Sequence, residues 1–449
     1  MAGDGAGNGQ LIIDNGDRFT EMTTAIPDGG TWTVPDLLVR NAGTLGVASG
    51  ETLILTGPVS TDSDSATDGI RLRGGTLSAG GAGLTIENWS LTADGTNSVS
   101  EDITVKSGGA ITHFYNTTSQ VHTMDLTIDG DLTVENGGAV TAVGKGISQK
   151  YYGIGAPTST LRAGGSYGGQ GGTSESGSGV VGPTYGSVLA PTGIGSGGGN
   201  DVTTPAGGAI HLTVLGDVVL DGTLSASSGT DTNGYRCGGS GGSLWLVAET
   251  LSGGGTISAN GGDQGSTSGA GGGGRMAVYL TASDSFGGVK FEAFGGPAGS
   301  ASQRGAAGTI YRETVSDDAG AGDLIIRNFD RIAQGVTHLP PTSPTPAWGD
   351  DLSLVSAFLT DGAKLTLTDD LVFAALDMES GTVLDLGGFD LELRVLTING
   401  VSYGFGVYDE GDLGDQVIGA GTVEVIPEPT AVLLLALGVL PLARRGRRA

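Results

Sequence analysis

Four segments of the 449-residue chain share one pattern at a nearly constant spacing. They read GGAIHLTV from Gly207, GGSLWLVA from Gly241, GGRMAVYL from Gly273 and AGTIYRET from Ala307. Their anchors Ile210, Leu244, Met276 and Ile310 lie 34, 32 and 34 residues apart. A second motif follows the first three: Leu224-Ser225-Ala226, Ile257-Ser258-Ala259 and Phe291-Glu292-Ala293, spaced by 33 and 34. An earlier copy, Val140-Thr141-Ala142, stands 84 residues before Leu224, with a Gly-rich stretch, 153–208, between them. Within a unit, the alternation of Ile210, Leu212 and Val214 predicts a strand with one buried face. Turns at Gly216-Asp217 and Asp221-Gly222 then separate two more short strands. A unit too small to bury its own apolar face must stack on its neighbours. Stacking as parallel strands places Ile210, Leu244, Met276 and Ile310 in one column, and Leu224, Ile257 and Phe291 in another. Ala226, Ala259 and Ala293 would line a narrow corner. A slip of one residue would turn every such column to solvent.

Glycine supplies 87 of the 449 residues. That content disfavours helices, in which each Gly costs about 1 kcal/mol relative to Ala. With 15 Pro and no strict every-third-residue Gly, the chain is not collagen. Aromatic residues make up 5% of the chain and Lys+Arg 21 against Asp+Glu 48 gives a net charge of −27. Nucleic acid is therefore not an expected partner, since a phosphate backbone selects for Lys and Arg. The single Cys237 excludes an internal disulfide. Its glycine-loop setting predicts a small residue in a tight turn.

Short strands with Asn, Asp and Gly turns also fill residues 36–56, 70–142 and 363–401. Four of the prolines fall within Pro340–Pro346, a polyproline linker or exposed kink. The expected organisation is a Gly-rich parallel β-helix over 1–338, with its repeat core at 207–314 and an insertion at 153–208. A Pro-rich linker, 339–349, follows, and then a block of β-strand repeats, 350–426. The insertion could form extra coils or a long ordered loop, and Gly/Ser loops on one side of the stack are expected to stay mobile.

The C-terminus, 427–449, has a different grammar. Pro427-Glu428-Pro429 precedes the apolar run Ala431–Leu442, and Arg444, Arg445, Arg447 and Arg448 close the chain. A helix over these 12 residues rises about 18 Å, short of a ~30 Å hydrocarbon core. Snorkelling Arg side chains and local thinning allow it to span. The basic end is expected to stay cytoplasmic and the rest to lie across the membrane. This order of features resembles the PEP-CTERM sorting signal of Gram-negative bacteria. The resemblance implies an exosortase-type membrane protease as partner, transient residence in the inner membrane, removal of the tail, and delivery to the cell surface or extracellular matrix. Members normally carry an N-terminal signal peptide. The stretch MAGDGAGNGQLIIDNGDRF has neither a basic nor an apolar region of that kind, so the export signal is expected upstream of Met1.

The segments GGSLWLVAETLSGGGTISANGG and GGGGRMAVYL also resemble Gly-rich β-helix proteins of bacterial surfaces. The stretch from Leu396 to Val425 resembles the closing strands of autotransporter-like repeats. These likenesses imply a right-handed parallel β-helix and a surface or adhesive role. The expected fold is thus all-β, a right-handed parallel β-helix (β-solenoid) with long Gly-rich loops and a short C-terminal transmembrane helix.

Catalytic signals are sparse. His113, His122, His211 and His338 show no zinc spacing, and no HExxH occurs. His211 alternates outward between Ile210 and Leu212 and reads as a surface side chain. Gly193–Gly198 fits GxGxxG, but such matches arise by chance at this glycine content, and no helix follows to receive a phosphate. Five adjacent acidic pairs, including Asp369-Asp370, match what random placement gives. No cofactor is expected. Ca²⁺ is the ion to consider, at Asp62–Gly69, where Ala66 breaks the ligand pattern and a solvated acidic turn is the simpler reading. Of Trp32, Trp89, Trp245 and Trp348, Trp245 is the candidate exposed aromatic for stacking on extracellular polysaccharide. Two functions remain open: a noncatalytic adhesive or structural surface protein, and a polysaccharide lyase or other carbohydrate-active enzyme. The lyase would assemble its acids and base across coils rather than in a linear motif.

Overall fold

A computed structural model describes residues 9–427, apart from 17, 19–21, 27–29, 62–68, 159–161, 200–203, 231–235, 266 and 342–348. The described residues form 37 strands and one four-residue helix, Glu410–Leu413. The chain is all-β. As far as Leu280, strands taken in sequence visit three sheets in turn; from Asp323 on they alternate between two, and each return adds the next strand beside the previous one. Leu84–Ile86, Ser90–Ala93 and Gly95–Val99 are followed, sheet by sheet, by Ile103–Val105, Ala110–Thr112 and Met124–Ile128. Nearly all pairings are parallel, consistent with a β-solenoid.

The columns expected from the repeats are present. Met124 pairs with Ile210, Ile210 with Leu244, Leu244 with Met276 and Met276 with Ile310. Val140, Leu224, Ile257 and Phe291 form the second ladder. Ala226, Ala259 and Ala293 are buried beside them. Burying one apolar side chain per strand position contributes about 1.5–3 kcal/mol each, which fixes the register. One continuous core runs from Ile13 to Ile310, and a second, mainly from Tyr311 to Val425, also takes in Val188, Ala277 and Ala307. Between them the strand direction reverses: Thr309–Glu313 pairs antiparallel with Asp323–Arg327, and the long sheet continues across this seam. Tyr403 and Tyr408, on strands that fold back antiparallel, pack against the far end of the second core.

Carboxylates tie successive turns together. Asp102 Oδ1 accepts the Asp131 N–H at 2.9 Å, Asp131 Oδ1 accepts the Asp217 N–H at 2.8 Å, and Asp217 Oδ1 accepts the Thr250 hydroxyl at 2.7 Å. The second stack repeats the device, with Asp370 accepting from Asp390 N–H at 2.9 Å and Asp390 from Thr422 N–H at 2.8 Å. Each Asp directly precedes a strand, so its carboxylate meets the turn of the next layer. Asp370, half of one acidic pair, therefore has a structural task.

The glycine segments differ from expectation. They are not mobile loops but a packed layer. Residues 153–208 contribute no strand among those described, yet most of them are buried. The segment 269–274 shows the arrangement. Gly269 and Gly272 donate to Arg162 and Gly165; Ala270 and Gly273 donate to Gln303 and Ala306; Gly271 and Gly274 donate to Gly262 and Ala259. Every third residue thus addresses the same neighbour, the geometry of an extended helix with three residues per turn and no internal hydrogen bonds. Carbonyls of the same segment accept from Gly238, Gly241, Gly172 and Gly296. A backbone bonded in so many directions satisfies its polar groups without water. It leaves no room for side chains at its glycines: a Cβ on Gly271 would overlap the Gly239 carbonyl oxygen. These glycines are required for close approach, and none of 269–274 has a left-handed backbone.

Candidate functional site

Pockets open at three places, among others, on the described surface. One, at Gln10–Val34, and another, between Leu55 and Trp89, border residues outside the described set. The third has complete walls and a volume of about 410 Å³, within the range of small-molecule sites. Its walls come from three places in the sequence: the loop after strand Ala110–Thr112, the segment Ile147–Ile154 that leads into the insertion, and Gly193-Ile194.

Asn116 shapes the first wall. Its Oδ1 accepts the N–H groups of Val121 and His122 at 2.7 and 2.8 Å, and its Nδ2 donates to the carbonyls of His122 and Lys145, both at 2.8 Å. The loop is thereby closed on itself and fastened to the second wall, which Gln149 N–H also meets at the Thr117 carbonyl. Gln120 ties the first wall to the third: its Oε1 accepts from Ile194 N–H at 3.2 Å and its Nε2 donates to the Thr192 carbonyl at 3.1 Å. Tyr185 forms the floor. Its hydroxyl donates to the Ile194 carbonyl at 2.6 Å and lies 2.8 Å from Ser196 Oγ. Burial pushes this phenol far above its usual range, so it stays neutral. Gly153, with φ of +99°, lets the second wall turn back over Ser196, whose side chain a Cβ would strike.

Behind the first wall lies a buried ion pair. Asp94 Oδ2 accepts Arg71 Nε at 2.7 Å and bonds Arg71 Nη2 as well; both side chains are less than a tenth exposed. Asp94 Oδ1 accepts the Phe114 N–H at 2.8 Å and faces His122 Nδ1 at 3.5 Å. The Arg71 guanidinium stacks over the Phe114 ring, 4.4 Å from its centroid. His113 is fully buried. Its Nδ1 meets the Phe114 carbonyl at 2.7 Å and its Nε2 accepts the Ala209 N–H at 3.2 Å, an arrangement that needs the neutral ring. Burial lowers its pKa to about 4, against the raising effect of the Phe114 carbonyl. His338 is lowered to about 4 as well, by burial and then by the Arg275 charge.

These two histidines give the fold an acid limit. The unfolded chain binds protons near the ordinary pKa of 6.5, the folded chain only near 4, so stability is full above 6.5 and falls as pH drops towards 4. For His113 the loss approaches about 3 kcal/mol. Melting temperature is expected to fall steadily from pH 7 to pH 4, and His113→Asn to flatten part of that slope.

The residues singled out in the sequence are scattered. Pro427 is the last described residue, two beyond the strand Val423–Val425, and Ile426 N–H is held by the Leu393 carbonyl at 2.9 Å. Glu428, Pro429, Arg444, Arg445, Arg447 and Arg448 lie outside the described residues, as do the apolar run 431–442, Asp62–Asp68 and Trp348. No helix of the described residues is long and apolar enough to cross a membrane. His211 is a partly exposed side chain, with its Nδ1 2.9 Å from Asp125. Trp245 does not stand free. It stacks on the His211 ring at 4.1 Å and packs against the second core, so the expected exposed platform is half-covered. The Gly193–Gly198 match belongs to the cleft wall and the glycine layer. Cys237 is buried, and burial raises its thiol pKa to about 11.

The cleft itself was missed in the sequence, because Asn116, Gln120, Ile147 and Ile194 belong to no linear motif. No acidic side chain lines it, and no three His, Cys, Asp or Glu among the described residues are placed to hold a metal ion. Compared with known proteins, the chain matches no family model, no curated protein and no solved structure.

Proposed function

We propose that the chain is a noncatalytic surface or extracellular-matrix protein of a Gram-negative bacterium, a right-handed parallel β-helix that serves as an adhesive or structural rod. An exosortase-type membrane protease recognises Pro427-Glu428-Pro429. The apolar run 431–442 holds the chain in the inner membrane, with its Arg cluster cytoplasmic, until the tail is removed. Extracellular polysaccharide is the surrounding partner. The observation that carries this reading is the order of parts: a long parallel-stranded stack closes at Val425, and the sorting grammar begins two residues later. The acid excess suits a soluble body outside the cell, where self-repulsion keeps copies apart.

The test is expression, behind an export signal, in a Gram-negative host with and without its exosortase. With the protease, the chain is expected at the surface or in the medium, shortened by about the length of the tail. Without it, or with Pro427, Glu428 and Pro429 all changed to Ala, the full-length chain should remain in the inner membrane. Equal processing of the triple variant and the parent would overturn the proposal.

A further inference from the structure

We propose that the cleft between the 116–122 loop, Ile147–Ile154 and Ile194 binds an uncharged glycan. The identity of the ligand rests on the matrix role above only for where such a ligand is met; the chemistry comes from the walls.

The interior is apolar, made by Ile147, Ile194 and the ring of Tyr185, all nearly inaccessible to solvent. The rim adds Ile154, 40% exposed, with Tyr152, 50% exposed, two residues before it. Thr118 and Ser119 face the opening from the other side, and both are exposed. Neither hydroxyl hydrogen-bonds within the described protein, so each is free to donate and accept. Gln120 uses one amide proton and one lone pair on the walls, leaving a second of each. An apolar floor facing neutral donors and acceptors along one rim matches a ligand with a C–H face and an edge of hydroxyls.

Other ligand classes fit less well. No Lys, Arg, Asp or Glu lines the cleft. A phosphate or uronate would enter without a counter-charge, against a net charge of −27. A metal would find no carboxylate, imidazole or thiolate. An acyl chain would leave the free hydroxyls without partners, a cost of about 1–3 kcal/mol for each one desolvated. The walls are preorganised by the Asn116, Gln120 and Tyr185 bonds, so little ordering opposes binding.

Titration calorimetry of the purified full chain with cellopentaose, maltopentaose and mannopentaose tests this, with an oligogalacturonate as the charged counterpart. Saturable binding of at least one neutral oligosaccharide is expected, and none of the oligogalacturonate. Ile154→Asp should weaken binding at least tenfold, and Thr118→Ala with Ser119→Ala about fivefold. Both variants should keep the parent's melting temperature, because these side chains carry no core contacts. The proposal is overturned by no saturable binding of any neutral sugar, by binding of the charged one alone, or by variants that bind like the parent. Surface delivery is scored separately. An Ile154→Asp chain that reaches the surface but has lost sugar would place the two functions on different parts of the molecule. A parent chain that binds sugar but is never sorted would remove the sorting role and leave this site standing.

Discussion

Gly271→Ala is expected to destabilise the fold by more than about 3 kcal/mol, the upper end of what overpacking usually costs. A single methyl group has this effect because of what surrounds it. Gly271 donates to the Gly262 carbonyl at 2.9 Å and accepts from Gly296 at 2.8 Å, so its segment cannot slide in either direction without breaking bonds. The new Cβ would lie on the Gly239 carbonyl oxygen, a backbone atom with no rotamer to change. Gly239 is itself held, since its carbonyl accepts the Gly262 N–H at 2.8 Å. Relief therefore needs several extended segments to part together, each exposing buried amides at about 1–3 kcal/mol apiece. Gly254→Ala is the control. Gly254 is exposed, no atom lies within 4 Å of its Cβ position, and its backbone is not left-handed. That change should stay within about 0.5 kcal/mol of the parent. Urea unfolding followed by circular dichroism separates the two. If both variants unfold at the parent's midpoint, the layer is not a packed part of the fold.

The two kinds of structure differ in how far the sequence exposes them. The stacked columns were legible because Ile210, Leu244, Met276 and Ile310 each stand two residues after a glycine and recur at a nearly constant spacing. Two independent periodicities then agree on the register. The glycine layer has no such signature. A three-residue turn leaves a trace only if one face differs from another, and in GAGGGG every face is the same. Glycine abundance was therefore read as mobility, when the backbone itself was the packing element. The carboxylate ladder lay between these cases. Asp102, Asp131, Asp217, Asp370 and Asp390 each stand immediately before a strand, yet random pairing statistics conceal that positional rule. The cleft was the least legible. Its walls lie 27 to 78 residues apart in sequence, counting from Gln120 to Ile147 and from Asn116 to Ile194. Nothing local announces that Asn116 will close a loop. His113 shows the same limit, because its burial depends on Gly208 and Ala209, which return to it through the insertion.

Asp94→Ala should cost about 3–5 kcal/mol, since it removes from a buried guanidinium the carboxylate that meets it through two nitrogens. Arg71 would lose its carboxylate while the Phe114 ring and the strands around it still exclude water. The Phe114 N–H would lose its acceptor in the same step. Arg71→Ala should cost a comparable amount, because the buried Asp94 carboxylate would lose its guanidinium and keep the Phe114 N–H and the facing His122. The double variant decides what the pair contributes. If the charges are coupled, its cost falls below the sum of the single changes by at least about 2 kcal/mol, because the site then buries neither charge. A strictly additive result would mean that each residue acts through packing. The same variants reach the cleft indirectly. Asp94 holds the root of the loop at Phe114 and faces His122, whereas Thr118 and Ser119 stand at its tip. Asp94→Asn, which keeps an acceptor for Phe114 but discards the charge, should therefore preserve more neutral-sugar affinity than Asp94→Ala. If Asp94→Ala lowers stability by the full amount and leaves sugar affinity untouched, the wall is positioned by Asn116 and Gln120 alone and the ion pair serves only the stack.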